Sequence, residues 1–294
     1  MTRYRTVDVN GLEVFFREAG DPANPTLLLL HGFPSSSFMF RELMPLLEQD
    51  LHVIAPDYPG FGNTETLPPT EFAYTFDNLA TTVEGLLDVL NVEHFGIYIQ
   101  DYGAPVGMRL ATRRPTAIDA IVVQNGNAYD EGFSEAWQPL RNGWWKQRTK
   151  EIEATLVEAF ISPDGIRANW TAGARDADAL CPDGWLLDAW FMALPHRREI
   201  QLDLLHDYRH NPPQYPAFHR MLRHYRPPVL IAWGERDPYF TVEGARAFLR
   251  DQPDAELHLL PTGHFALAEE CPAIAELIGD FYRRHVGHQR RAAA

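Results

Sequence analysis

A single carboxylate, Asp101, stands where an apolar stretch meets a helix-like stretch. Residues 95–99 are apolar and β-prone, and small residues follow Asp101 at Gly103, Ala104 and Gly107. A reactive side chain on a sharp strand-to-helix turn is the nucleophile elbow, usually written G-x-nucleophile-x-G. Residues 99–103 read IQDYG, with the second glycine but not the first. Because Asp also caps helices, this stretch alone leaves both interpretations open.

Two polar residues farther along the chain make a catalytic role the better interpretation. Asp237 comes shortly after the apolar run 229–233, and His264 comes shortly after the run 257–260. An acid that orients a histidine base, together with a nucleophile, forms a catalytic triad. No G-x-S-x-G sequence occurs in the chain, so a serine nucleophile, and with it an esterase or lactonase, is disfavoured.

The segment His31-Gly32-Phe33-Pro34 follows the apolar run 27–30. A glycine turn at a strand end exposes backbone N–H groups to a neighbouring site. We therefore predict that the backbone N–H groups of Phe33 and Tyr102 form an oxyanion hole. For His31 itself we expect a structural role, with its ring nitrogens bound inside the loop.

Apolar runs without alternation predict strands that helices cover on both faces of a mostly parallel sheet. These runs are 27–30, 51–55, 95–99, 118–123, 229–233 and 257–260, and Asn10-Gly11 predicts a hairpin before them. Apolar residues at helical spacing predict helices over 75–90 and around 274–281. The alternation of strands and helices predicts an α/β class, doubly wound fold.

The pattern changes between residues 128 and 226. This segment contains six of the seven tryptophans and shows no strand-like run. We predict a helical cap domain over 128–226, inserted into a core domain formed by 1–127 and 227–294. Open α/β sheets bind ligands at the carboxyl ends of their strands, so the insertion is expected to cover the site.

With these motifs, nearly the whole chain resembles the α/β-hydrolase superfamily, in the branch that holds epoxide hydrolases and haloalkane dehalogenases. The resemblance implies that Asp101 is the nucleophile, His264 the base and Asp237 the acid that orients it. Phe33 and Tyr102 match the oxyanion-hole donors. In this branch the carboxylate displaces a leaving group from saturated carbon, and water then hydrolyses the alkyl ester.

The leaving group separates the two activities of this branch. An epoxide oxygen needs a proton, normally from cap tyrosines, and the segment around Tyr208 resembles the one that carries such a tyrosine. A halide needs N–H donors, normally the indoles of tryptophans. Trp144 and Trp145 lie roughly where the other epoxide-activating tyrosine would stand, and an indole there could hold a halide instead. Gln100 before the nucleophile resembles dehalogenases, yet Tyr102 replaces their halide-binding tryptophan.

We therefore expect epoxide hydrolysis of an apolar substrate, with haloalkane dehalogenation as the alternative within the enzymes. Fluoroacetate dehalogenation is disfavoured because Tyr102 and Pro105 stand where that group carries arginines. A non-catalytic hydrolase-fold binding protein is the alternative from another class, disfavoured because all three triad residues are present.

The composition and charge indicate which kinds of partner the protein can bind. The formal net charge of -14 over 294 residues argues against nucleic-acid binding. No metal-ligand spacing is present, so we expect no metal or other cofactor. The first ten residues lack an apolar segment and the longest apolar run is far too short to cross a membrane. We expect a cytoplasmic monomer or homodimer that binds a small molecule and water.

Overall fold

The computed structural model describes residues 1–286. Eight strands form one sheet in the order β1-β2-β4-β3-β5-β6-β7-β8. The strands are β1 Arg3–Val9, β2 Leu12–Ala19, β3 Thr26–Leu30, β4 His52–Pro56, β5 Phe95–Gln100, β6 Ile118–Gln124, β7 Val229–Gly234 and β8 Glu256–Leu260. Each of the six predicted apolar runs is a strand, and each predicted end lies within one residue of the observed end.

The sheet is parallel except at one edge. β1 pairs with β2 and β2 with β4 in antiparallel register, whereas all other pairs are parallel. The hairpin turns at Asn10 and Gly11, which both have positive φ angles of 56° and 87°. Asparagine and glycine tolerate that conformation, which explains how this dipeptide sets the register of Val9 opposite Leu12.

Residues 1–286 contain ten α-helices. They are α1 Leu43–Leu47, α2 Phe76–Val89, α3 Gly103–Arg113, α4 Lys150–Leu156, α5 Pro163–Thr171, α6 Asp183–Met192, α7 Arg197–Asp207, α8 Tyr215–Tyr225, α9 Val242–Asp251 and α10 Ala266–His285. The last helix begins before the predicted segment and is interrupted at Glu270, next to the internal Pro272. None of the helices in residues 1–286 is long and apolar enough to cross a membrane.

Residues 128–226 form helices and turns between β6 and β7, apart from one bridge between Phe133 and Phe240. Polar contacts join this helical insertion to the loops beside the sheet. Asp207 accepts a hydrogen bond from the backbone N–H of Phe76, and Gln201 donates to the carbonyl of Gly60. The division into two domains stays a prediction, and residues 287–294 of the predicted core domain lie outside the described residues.

The packing of α2 predicts a clear difference between two of its side chains. Leu86 is fully buried, whereas Val89 on the same helix is 46% exposed. Replacing Leu86 by Ala leaves a cavity and is expected to lower the free energy of unfolding by about 2–5 kcal/mol. Val89→Ala is the control and should stay within about 0.5 kcal/mol of the parent, as measured by urea unfolding. Equal losses would contradict the assigned face of the helix.

Candidate active site

Asp101 lies at the turn between β5 and α3 with a φ of 48°. Such a left-handed conformation is uncommon for residues other than glycine, although Asp tolerates it. The helix that follows approaches the sheet closely. A Cβ atom on Gly103 would lie 2.1 Å from the carbonyl oxygen of Leu30. The turn therefore has the geometry of a nucleophile elbow even though Ile99 replaces its usual first glycine.

The backbone N–H groups predicted to form an oxyanion hole both face the Asp101 carboxylate. The N–H of Phe33 donates to Oδ1 of Asp101 over 2.8 Å, and the N–H of Tyr102 also bonds the carboxylate. Burial raises the pKa of Asp101, and His264 and the two N–H groups only partly oppose it. Burial therefore outweighs the three groups that favour the ionised form of Asp101.

His264 lies between two carboxylates. Its Nδ1 is 2.8 Å from Oδ2 of Asp237, and its Nε2 is 3.8 Å from Oδ2 of Asp101. Burial opposes a charge on the ring, but the charge and hydrogen bond of Asp237, together with the charge of Asp101, raise the pKa of His264. Because Nδ1–H donates to Asp237, Nε2 is the nitrogen that faces Asp101.

Asp237 is held by a set of donors that sequence reasoning did not find. Its Oδ1 accepts hydrogen bonds from the backbone N–H groups of Tyr239 and Phe240. Its Oδ2 accepts from Nδ2 of Asn125 over 2.8 Å. Asn125 follows β6 directly and also bonds the backbone of Gly234 in both directions. The available signal in the sequence was the polar pair Gln124-Asn125, which directly follows the apolar run 118–123.

His31 is a structural residue, as expected from its loop position. Nε2 accepts from the backbone N–H of Tyr58 over 3.3 Å, and Nδ1 lies 3.1 Å from the carbonyl oxygen of Gly32. The ring stacks on Tyr58, and burial lowers its pKa to about 4. His31 is thus neutral at physiological pH and supports the loop that presents Phe33.

A small cavity of about 40 Å³ opens over Asp101, between the sheet and the helical insertion. Its lining residues are Phe33, Asp101, Tyr102, Ala136, Trp137, Leu140, Phe160, Asn169, Leu205, Tyr239 and His264. The lining is mostly apolar and aromatic, as in small-molecule sites. A wider, open groove crosses the insertion elsewhere. Its lining includes none of the predicted catalytic and oxyanion-hole residues, which are Phe33, Asp101, Tyr102, Asp237 and His264.

The three insertion residues named from the sequence lie outside this lining. Trp145 donates its indole N–H to the carbonyl of Leu205 over 3.2 Å. Trp144 is fully buried, and its ring packs beside His206. Tyr208 is also fully buried and stacks on Trp145, and its hydroxyl lies near Tyr215 without meeting hydrogen-bond geometry. The cavity-lining Trp137 and Tyr239 were not identified from the sequence.

A family model described as the α/β hydrolase fold matches residues 25–270. The chain belongs to the α/β-hydrolase superfamily. This α/β-hydrolase is 42% identical over 281 residues to an uncharacterized hydrolase of Saccharomyces cerevisiae, covering 95% of this chain and 96% of the relative. A haloalkane dehalogenase of Psychrobacter cryohalolentis is 30% identical over 151 residues, which is 51% of this chain and 48% of that protein.

Solved structures agree in fold. The epoxide hydrolase CorEH superposes with a TM-score of 0.79 at 17% identity, covering 96% of this chain and 99% of that one. At this identity the likeness establishes the fold alone. The chain is thus a hydrolase of the α/β fold that is similar over half of its length to a haloalkane dehalogenase and shares its fold with an epoxide hydrolase. Within residues 1–286, no cluster of three or more His, Cys, Asp or Glu side chains could hold a metal ion.

The raised pKa of Asp101 predicts that its charge costs stability. Asparagine has the same shape and also tolerates a positive φ, so Asp101→Asn isolates the charge. A carboxyl group whose pKa is higher in the folded state than in the unfolded chain destabilises the fold at pH values above both pKa values and has no such cost below both. We expect the variant to gain about 1 kcal/mol in free energy of unfolding at pH 7.

The gain should shrink as the pH falls towards about 4, where carboxyl groups of the unfolded chain also take up protons. Urea unfolding of both proteins at a series of pH values measures it. A variant less stable than the parent at pH 7 would contradict an energetic cost of the buried charge.

Proposed function

We propose that this hydrolase acts through an alkyl ester of Asp101 and that its substrates are apolar epoxides. The observation that carries the mechanism is the arrangement of Asp101, with one oxygen on the N–H of Phe33 and the other facing Nε2 of His264. A carboxylate held in this way can attack saturated carbon in line with a leaving group.

The same groups support the second half of the reaction. His264, held by Asp237, would deprotonate a water molecule that attacks the carboxyl carbon of the ester. The negative charge then develops on Oδ1, where the N–H of Phe33 already lies, and the N–H of Tyr102 also bonds this carboxyl group. Preorganised donors at such an oxygen typically contribute about 10²–10³-fold to the rate each.

Epoxides are favoured over haloalkanes by the state of the indole N–H groups. Trp137 lines the cavity but donates its N–H to the carbonyl of Tyr239 over 3.1 Å, and Trp145 donates to Leu205. These two donors are therefore engaged and not directed at a halide. The indole N–H of Trp144 has no hydrogen-bond partner among residues 1–286, but Trp144 does not line the cavity. The charge of Asp101 adds to the effect of burial in raising the pKa values of four phenols, and Tyr208 and Tyr239 are the two that we consider as donors. The other two are Tyr58 and Tyr102. A neutral phenol can give a proton to a departing alkoxide.

Haloalkane dehalogenation remains the second candidate, on the strength of Gln100 before the nucleophile and of the dehalogenase relative. The third candidate, a non-catalytic binding protein, would form no covalent intermediate with either substrate type.

Trapping the ester tests the mechanism and the substrate class together. His264→Gln should form the ester but not hydrolyse it, because no base activates water. Incubated with styrene oxide, it is expected to gain the mass of the whole epoxide on Asp101, as read by peptide mass spectrometry. With 1-bromobutane, a dehalogenase would instead gain a butyl group in place of a proton and release bromide.

The matched control is the double variant with Asp101→Asn, which should gain no mass. Adducts with the bromide alone would replace the epoxide proposal by the dehalogenase one. No adduct across a broad panel of epoxides and haloalkanes would reject the covalent mechanism.

Leaving-group donors are tested by removing one phenol at a time. We expect Tyr239→Phe, which alters the cavity lining, to slow ester formation from an epoxide by about 10²–10⁴-fold. Tyr208→Phe tests the residue that the sequence named, whose hydroxyl has no hydrogen-bond partner among residues 1–286, and should have a comparable effect. Rapid-quench kinetics of ester formation from styrene oxide gives both rates, and urea unfolding of each variant checks that the fold is intact. Unchanged epoxide rates in both variants would exclude these two donors.

A further inference from the structure

Gln100 places a side-chain amide directly at the ring of His264. It is the last residue of β5 and is fully buried. Its Nε2 lies 3.1 Å from Nε2 of His264, and its Oε1 has no hydrogen-bond partner among residues 1–286. The backbone of Gly32 closes over the amide, since a Cβ there would lie 2.4 Å from Oε1.

The ring nitrogen that the amide touches is the one that must change its protonation. Nδ1 of His264 is engaged with Asp237, so the proton of the hydrolytic water would arrive at Nε2. An amide N–H can donate to Nε2 of the neutral ring but not to the N–H of an imidazolium. The amide oxygen has the opposite preference. A half turn about the terminal bond exchanges the two ends, which have nearly the same size.

We propose that Gln100 is a positioning residue that bonds Nε2 of His264 in both protonation states. Its NH₂ group donates to the neutral ring, and after a half turn its oxygen accepts from the imidazolium. The proposal rests on the proposed role of His264 as base. The proton passes from water to Nε2, and no covalent bond of Gln100 is formed or broken. The oxygen that lacks a partner in the resting site is then the acceptor for the second state.

Other groups also act on this ring. Asp237 bonds Nδ1 and Asp101 faces Nε2, and both favour the imidazolium. The ring of Tyr239 lies edge-on at 5.3 Å between centroids. Substitutions at Gln100 leave all three in place, so a change in the titration of His264 reports on the amide.

The test is the titration of His264 in the full-length protein labelled with ¹⁵N-histidine. The chain has 12 histidines, and His264→Gln identifies the signal by its loss. A hydrogen bond to a charged group is stronger than one between neutral groups. Removing the amide with Gln100→Met is therefore expected to lower the His264 pKa by about half to one pH unit. Gln100→Glu, which only accepts, should raise it.

Gln252→Met is the matched control. Gln252 is also buried, and its amide donates to the carbonyl of Leu222 rather than to His264 or its partners. Its loss should leave the His264 pKa unchanged. Gln100→Leu repeats the test with another shape if the methionine variant does not fold.

Two outcomes would overturn the proposal. An upward shift in Gln100→Met would show that the amide only donates, and no shift would show that it only fills space. The titration needs no substrate, so its result is independent of ester trapping. A missing adduct rejects the proposed function, whereas a wrong shift rejects the role of Gln100 alone.

Discussion

A charge buried beneath aromatic side chains is the constraint on which the site depends. Asp101 is 6% exposed, and burial raises its pKa. An isolated carboxylate in such surroundings would take up a proton. Hydrogen bonds from backbone N–H groups and the positive charge of His264, whose own pKa is raised, counter this tendency. Each of these partners comes from a different loop at one edge of the sheet. The strands that carry these loops must therefore all be in place before the partners can surround the carboxylate.

The sheet and the core of the site were predictable because both depend on local patterns. Uninterrupted apolar runs do not fit an exposed surface, and each of the six became a strand. Asp101, Asp237 and His264 stand just beyond such runs, and the carboxyl ends of parallel strands meet at one edge. The positions of these three residues in the sequence were therefore enough to predict that they lie close together.

The insertion shows where sequence patterns stop being sufficient. Its aromatic side chains are close in sequence, yet their N–H and O–H groups turn in different directions. Trp137 reaches the cavity, whereas Trp144 packs beside His206. Two π-helical turns, Leu140–Trp144 and Val157–Ile161, shift the helix faces relative to a regular 3.6-residue period. The period that locates a helix thus cannot say which tryptophan lines the cavity.

Asn125 was missed for a different reason. Its importance comes from contacts with Asp237 and Gly234, more than 100 positions away, which no local pattern records. The same holds for Gln100, whose identity looked like a clue to the leaving group. Its amide instead touches His264, which in the proposed mechanism acts as a base only after the leaving group has gone. Under that proposal, the identity of residue 100 bears on ester hydrolysis, a step that epoxides and haloalkanes share, and the choice between these substrates depends on the donors in the cavity wall.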